Sequence, residues 1–125
     1  MKTLRGYMKL RDIARIVDAK VIWGEEYLDK EITHAFAADL MSDVLAFARG
    51  GSILLTGLTN PQVIRTGEMI DISAILFVRG KLPLQDTVEL AKAKGIPLLT
   101  TKYILFVTCG LLYQAGILGS IEKVD

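Results

Sequence analysis

Ser52-Ile53-Leu54-Leu55-Thr56-Gly57-Leu58-Thr59-Asn60-Pro61 is the stretch on which the fold turns. Its first five residues carry no charge. Gly57 then breaks the run, and Asn60 with Pro61 supplies an N-cap and first-turn pair for a helix to about Ile70. Two runs of the same kind follow, Ile72-Ser73-Ala74-Ile75-Leu76-Phe77-Val78 and Ile96-Pro97-Leu98-Leu99-Thr100. Short, continuously apolar runs bounded by turn residues are strands covered on both faces. Between them Leu84, Val88, Leu90 and Ala91 mark a helix ended by Gly95. A last helix is expected from about Lys102 to Gln114, with Gly116 beyond it. The order is βαβαβα, which predicts a parallel sheet joined by right-handed crossovers.

Upstream, Leu10, Ile13, Ala14 and Val17 repeat at i, i+3, i+4, i+7, predicting an amphipathic helix over residues 9–19. Lys20-Val21-Ile22-Trp23 and Glu31-Ile32-Thr33-His34-Ala35-Phe36 are two further strands. Gly24-Glu25-Glu26 makes a turn between them, and the mixed charge run Glu25, Glu26, Asp29, Lys30 and Glu31 is expected as a solvated hairpin turn. Trp23 and Tyr27 flank that turn as packing residues. Asp39 can cap a helix through Met41, Val44, Leu45 and Ala48, ending near Gly50-Gly51. No repeat, linker or low-complexity segment interrupts the chain. The expected architecture is an α/β three-layer αβα sandwich, one domain over 1–125, with a mostly parallel sheet of four to five strands.

Composition narrows the class. The chain has 125 residues, 51% hydrophobic and 23% charged, with a formal net charge of +1. Disorder is excluded by that apolar content, and a polybasic nucleic-acid binder by that charge. Mean hydropathy is +0.39, an excess that needs a location. The longest charge-free run, Tyr103 to Ile121, has the length of a membrane span. It contains Thr108, Gln114, Ser120 and three glycines, so a buried helix with a short tail fits it better and no membrane partner is expected. Cys109, alone, sits in an apolar run and is expected as a small buried hydrophobe. Met1 to Tyr7 lacks a signal-peptide h-region, which points to the cytoplasm.

Ligands of an open parallel sheet bind beyond the carboxyl ends of its strands. Those ends hold Thr56, Gly57 and Asn60, then Arg79 and Gly80 with Lys81, then Thr100, Thr101 and Lys102. Hydroxyls, glycines, a helix start and cations together can hold an anion such as a phosphate. Neither G-x-x-x-x-G-K-[ST] nor G-x-G-x-x-G is present. His34 has no second ligand at metal spacing, so no metal and no cofactor is expected. Asp39 and Asp43 lie i, i+4 and are expected as a cap and a solvated face. Ser42 and Ser52 lack a partner base.

Several segments together resemble a family. They are Met8-Lys9-Leu10-Arg11-Asp12-Ile13-Ala14, Val21-Ile22-Trp23-Gly24, Ala38-Asp39-Leu40-Met41-Ser42, Gly51 to Gly57, and Ala91 to Thr101. The chain resembles a DRTGG domain over about residues 8–116. The resemblance implies an α/β unit similar to the N-terminal domain of bacterial HPr kinase/phosphorylase. Such units accompany CBS domains in some pyrophosphatases and precede catalytic domains in some phosphotransacetylases, as regulatory or assembly modules. The family's usual Gly-Asp-Arg is Gly57-Leu58-Thr59 here, and its Thr-Gly-Gly is Val78-Arg79-Gly80. Its usual Asp-Thr at the last helix is Lys102-Tyr103-Ile104, so only Gly57 and Gly80 carry over.

The expected function is therefore a non-catalytic regulatory or assembly module that self-associates as a homodimer. Leu111, Leu112, Ile117 and Leu118 are its expected interface. The alternative is a sensor of an adenine nucleotide or phosphometabolite at the carboxyl edge. A second alternative is an enzyme subunit whose site is completed by a partner.

Overall fold

The computed structural model describes residues 7–125. The amino-terminal segment read above for a signal peptide lies almost wholly outside the described residues. In chain order the elements are β1 (Met8–Lys9), α1 (Leu10–Ile16), β2 (Lys20–Trp23), a 3-10 turn (Glu25–Tyr27), β3 (Glu31–Ile32), β4 (His34–Ala37), α2 (Met41–Phe47), β5 (Ser52–Thr56), α3 (Gln62–Met69), β6 (Ala74–Phe77), α4 (Gln85–Lys94), β7 (Leu98–Thr100), α5 (Leu105–Gln114) and β8 (Leu118–Gly119).

The main sheet has six strands in the order β2-β7-β6-β5-β4-β8. Every pairing is parallel except β2 on β7. The expected mostly parallel sandwich is borne out, with one strand more than expected. The sixth strand is β8, formed by the tail: Leu118 and Gly119 pair with His34 and Ala35.

Alternation along the strands builds the layers. Ile53 and Leu55 of β5, Ala74 and Leu76 of β6, and Leu99 of β7 point to one face. There they meet Leu10, Ile13 and Val17 from α1 and its end, and Leu112 of α5. Leu54, Ile75, Phe77 and Leu98 point to the other face, against Met41 and Val44 of α2, Val63 and Ile64 of α3, and Ala91 of α4. Each strand thus feeds two cores, which is why its sequence is apolar at successive positions. Gly95 takes the left-handed conformation (φ 70°) that ends α4, as its position predicts.

Two expectations about the amino-terminal half are corrected. No hairpin joins β2 to β4; β7, β6 and β5 lie between them. The charged run instead leads into a small antiparallel pair, Met8 with Ile32 and Lys9 with Glu31. Ile32 is wholly buried there. β4 then joins β5 in parallel, where Ala35 packs on one core and Phe36 on the other. A hairpin partner for β2 would have left those two side chains without cover.

The tail is corrected too. Leu112 is 1% and Ile117 2% exposed, so both belong to the core and not to a surface for a partner. Leu111 is half-buried and Leu118 exposed. Ser120 closes the segment by a buried hydrogen bond, 2.8 Å, between its hydroxyl and that of Ser52. The charge-free run is thus ten residues of α5, a turn and an edge strand. Among the described residues no helix is long and apolar enough to cross a membrane.

Candidate functional site

The carboxyl ends of β4, β5, β6 and β7 share one edge of the sheet. β2, being antiparallel, brings its first residue there as well, with Lys20 opposite Thr100.

At the β5 end the organiser is Asp39, just beyond β4. Its Oδ1 accepts from the Thr56 hydroxyl at 2.9 Å and from the Gly57 amide at 2.8 Å. The Thr56 hydroxyl in turn accepts the Leu58 amide at 3.1 Å. Asp39 therefore does not cap α2, whose N-cap, Leu40, makes no side-chain bond. The loop between β4 and α2 is so short that one residue stands both two positions before the helix and beside the β5 end, and the β5 end takes the carboxylate. Asn60 does behave as expected: its Oδ1 accepts the Gln62 amide at 3.0 Å as α3 begins. Thr56 is fully buried, with its hydroxyl committed to this network.

At the β6 end Val78–Lys81 forms a tight turn closed by the Lys81 amide on the Val78 carbonyl, 3.1 Å. Its two central residues, Arg79 and Gly80, have φ of 60° and 66°. Glycine enters that region freely, whereas an arginine there costs about 1 kcal/mol. The turn is pinned to the β7 end, where the Arg79 amide donates to the Tyr103 carbonyl and the Gly80 amide to the Thr101 carbonyl. The Arg79 guanidinium lies over Gly57; a Cβ on that glycine would stand 2.8 Å from Nη2.

Beyond β7 a cleft of about 480 Å³ opens. It is lined by Asp18 and Lys20 around the start of β2, by Gly80 and Leu82 after β6, and by Thr100, Thr101, Lys102 and Tyr103 at the end of β7. The Thr101 hydroxyl is already committed, donating to the Val17 carbonyl at 2.6 Å. The Thr100 hydroxyl donates to the Lys81 carbonyl at 2.8 Å. Among the described residues, Lys20, Arg79, Lys81 and Lys102 form no ion pair, while Arg11, Arg15, Lys92 and Lys94 do. Other described cations, Lys9, Lys30, Arg49, Arg65 and Lys123, are also outside ion pairs, so what marks this edge is that Lys20 and Lys102 line one cleft, where a multiply charged anion could meet both.

Of the eight sequence-derived ligand residues, the structure brings Gly80, Thr100, Thr101 and Lys102 into the cleft. Arg79 sits between it and the β5 loop that carries Thr56, Gly57 and Asn60. Asp18, Lys20 and Asp39 were missed. Lys20 could be placed only by knowing that β2 pairs with β7.

The remaining candidates are structural. His34 contacts the Thr33 hydroxyl at 2.9 Å and Arg49 at 3.3 Å; burial, then the Arg49 charge, lowers its pKa. Cys109 is half-buried, and burial raises its thiol pKa. Trp23 and Tyr27 pack with ring centroids 5.8 Å apart. Among the described residues no group of His, Cys, Asp and Glu could hold a metal ion.

Fold and edge together define a layered α/β domain with an open, mostly parallel sheet and a basic cleft at its carboxyl ends. The sequence matches the DRTGG domain over residues 12–115, and the chain belongs to that family. A solved structure with the same fold is the CBS and DRTGG region of the regulatory part of Clostridium perfringens pyrophosphatase, described as complexed with an activator, diadenosine tetraphosphate. The TM-score is 0.71 at 20% identity, over 94% of this chain and 51% of that one. This chain thus spans about half the length of that neighbour. No curated protein matches by sequence.

Proposed function

We propose that this chain is a regulatory module, a single domain without catalysis of its own, that self-associates in the cytoplasm. It senses a small anionic ligand of the adenine-nucleotide class at the carboxyl edge of its sheet. The observation that carries this reading is the cleft between Lys20 and Lys102, with Arg79 and Lys81 close by and none of the four cations paired. A phosphate chain meets Lys20 and Lys102, with the Asp18 carboxylate the one acidic group of the lining. The apolar lining residues Leu82 and Tyr103 offer a surface for a base. Support for the nucleotide class comes from the pyrophosphatase regulatory region, which has the same fold and an adenine dinucleotide activator.

Thermal denaturation with AMP, ADP, ATP, diadenosine tetraphosphate and pyrophosphate tests it. A ligand at 100 times its dissociation constant stabilises by about 2.7 kcal/mol. In a domain of this size that raises Tm by roughly 10 °C. Lys102→Ala is expected to remove the shift. No shift with any of the five compounds overturns the ligand reading.

A further inference from the structure

The outer face of α5 carries two features that packing within one chain does not explain. Phe106 is 83% exposed and Tyr113 70%. Between them lies Gly110, at the middle of the helix and exposed. Glycine there costs about 1 kcal/mol relative to alanine. Nothing in the chain requires it, for a Cβ on Gly110 would meet no atom within 4 Å. Leu105–Gln114 contains no charged residue on any face, so the helix offers no ionic handle to a partner of opposite charge. It does offer a knob, Phe106, and one turn later a gap, Gly110, about 6 Å along the axis.

We infer that the homodimer forms through α5 packed antiparallel on its copy, Phe106 of each protomer lying over Gly110 of the other. A two-fold axis makes every contact reciprocal, so a knob and a gap on one helix complement themselves. The axis passes at the level of residue 108 and sets Tyr113 just beyond the amino-terminal end of the second copy's α5. The two aromatic residues supply only part of the area a stable dimer needs. Phe106 and Tyr113 alone expose roughly 300 Å² of aromatic surface, and about 800 Å² per partner makes a standard interface. Tyr103, Ile104, Val107 and Leu118, all exposed apolar residues around α5, supply further area.

The inference rests on the self-association proposed above and is separable from it. Sedimentation at high micromolar concentration is expected to show a dimer. Gly110→Leu fills the gap with a better helix former, so at dilute, monomeric protein the fold should melt no lower, while the dimer dissociation constant rises about tenfold or more. In a Cys109→Ser background, oxidising a mixture of Phe106→Cys and Gly110→Cys chains is expected to yield the mixed disulfide. A monomeric wild type overturns self-association and this interface together, and leaves the face to a different protein. A wild-type dimer that Gly110→Leu does not weaken, with no mixed disulfide, overturns the α5 interface alone.

Discussion

Arg79 holds two roles that pull in opposite directions. Its backbone occupies the left-handed region at φ 60°, where a Cβ is unfavourable, and Gly80 follows with φ 66°. Its guanidinium meanwhile is an unpaired cation resting on Gly57 at the proposed site. Strain of this kind persists where the surrounding structure holds it, here through the Arg79 and Gly80 amides on the Tyr103 and Thr101 carbonyls. Arg79→Gly should therefore stabilise the fold by about 0.5–1 kcal/mol, part of the relief being offset by the freer unfolded chain. It should at the same time lose most of any nucleotide-induced shift in Tm. Urea denaturation with and without ligand reads both effects. A variant less stable than wild type would show that the side chain, and not the backbone, sets the energy of this turn.

Helix α5 separates residues that its sequence does not. Leu112 is 1% exposed and touches the core under the sheet, whereas Phe106 stands free on the same helix. Leu112→Ala is expected to cost about 2–5 kcal/mol as a buried cavity. Phe106→Ala should leave the unfolding free energy, taken at dilute protein, within about 0.5 kcal/mol. Chemical denaturation of both variants checks the contrast. Reading Leu111, Leu112, Ile117 and Leu118 as one surface failed because the segment is apolar throughout, and an apolar helix shows no periodicity to say which side faces in. The central strands were legible for the opposite reason. Ser52–Thr56 has sharp limits, with glycines before and after, and its charge-free run with an apolar Ile53-Leu54-Leu55 centre has one explanation, cover on both faces. The site divided along the same line. Gly80, Thr100, Thr101 and Lys102 follow directly from knowing where the parallel strands end. Lys20 and Asp18 reach the cleft through a long-range antiparallel pairing that no local signal announces. Asp39 sits where both a cap and a loop anchor are chemically reasonable, and only the positions of Thr56 and Gly57 decide between them.

In the whole molecule the proposed cleft and the proposed interface share a segment. Thr101, Lys102 and Tyr103 line the cleft, and α5 begins at Leu105. Tyr103 is 43% and Ile104 54% exposed, and the Tyr103 carbonyl is held by the Arg79 amide at 2.9 Å. If a nucleotide engaging Lys102 and Tyr103 restrains the approach to α5, a second copy packed on α5 would restrain the same residues from the other side. Each event then lowers the entropy cost of the other. Such coupling is reciprocal: the factor by which nucleotide tightens the dimer equals the factor by which dimerisation tightens nucleotide binding. Coupling factors between sites commonly fall between about 5 and 150. Nucleotide titrations run well below and well above the dimer dissociation constant should give affinities that differ by such a factor. Gly110→Leu, held monomeric, should show the weaker affinity at both concentrations. Equal affinities for the wild type at the two concentrations would mean that cleft and interface act independently, and that the shared Thr101–Ile104 segment is rigid before either ligand or partner arrives.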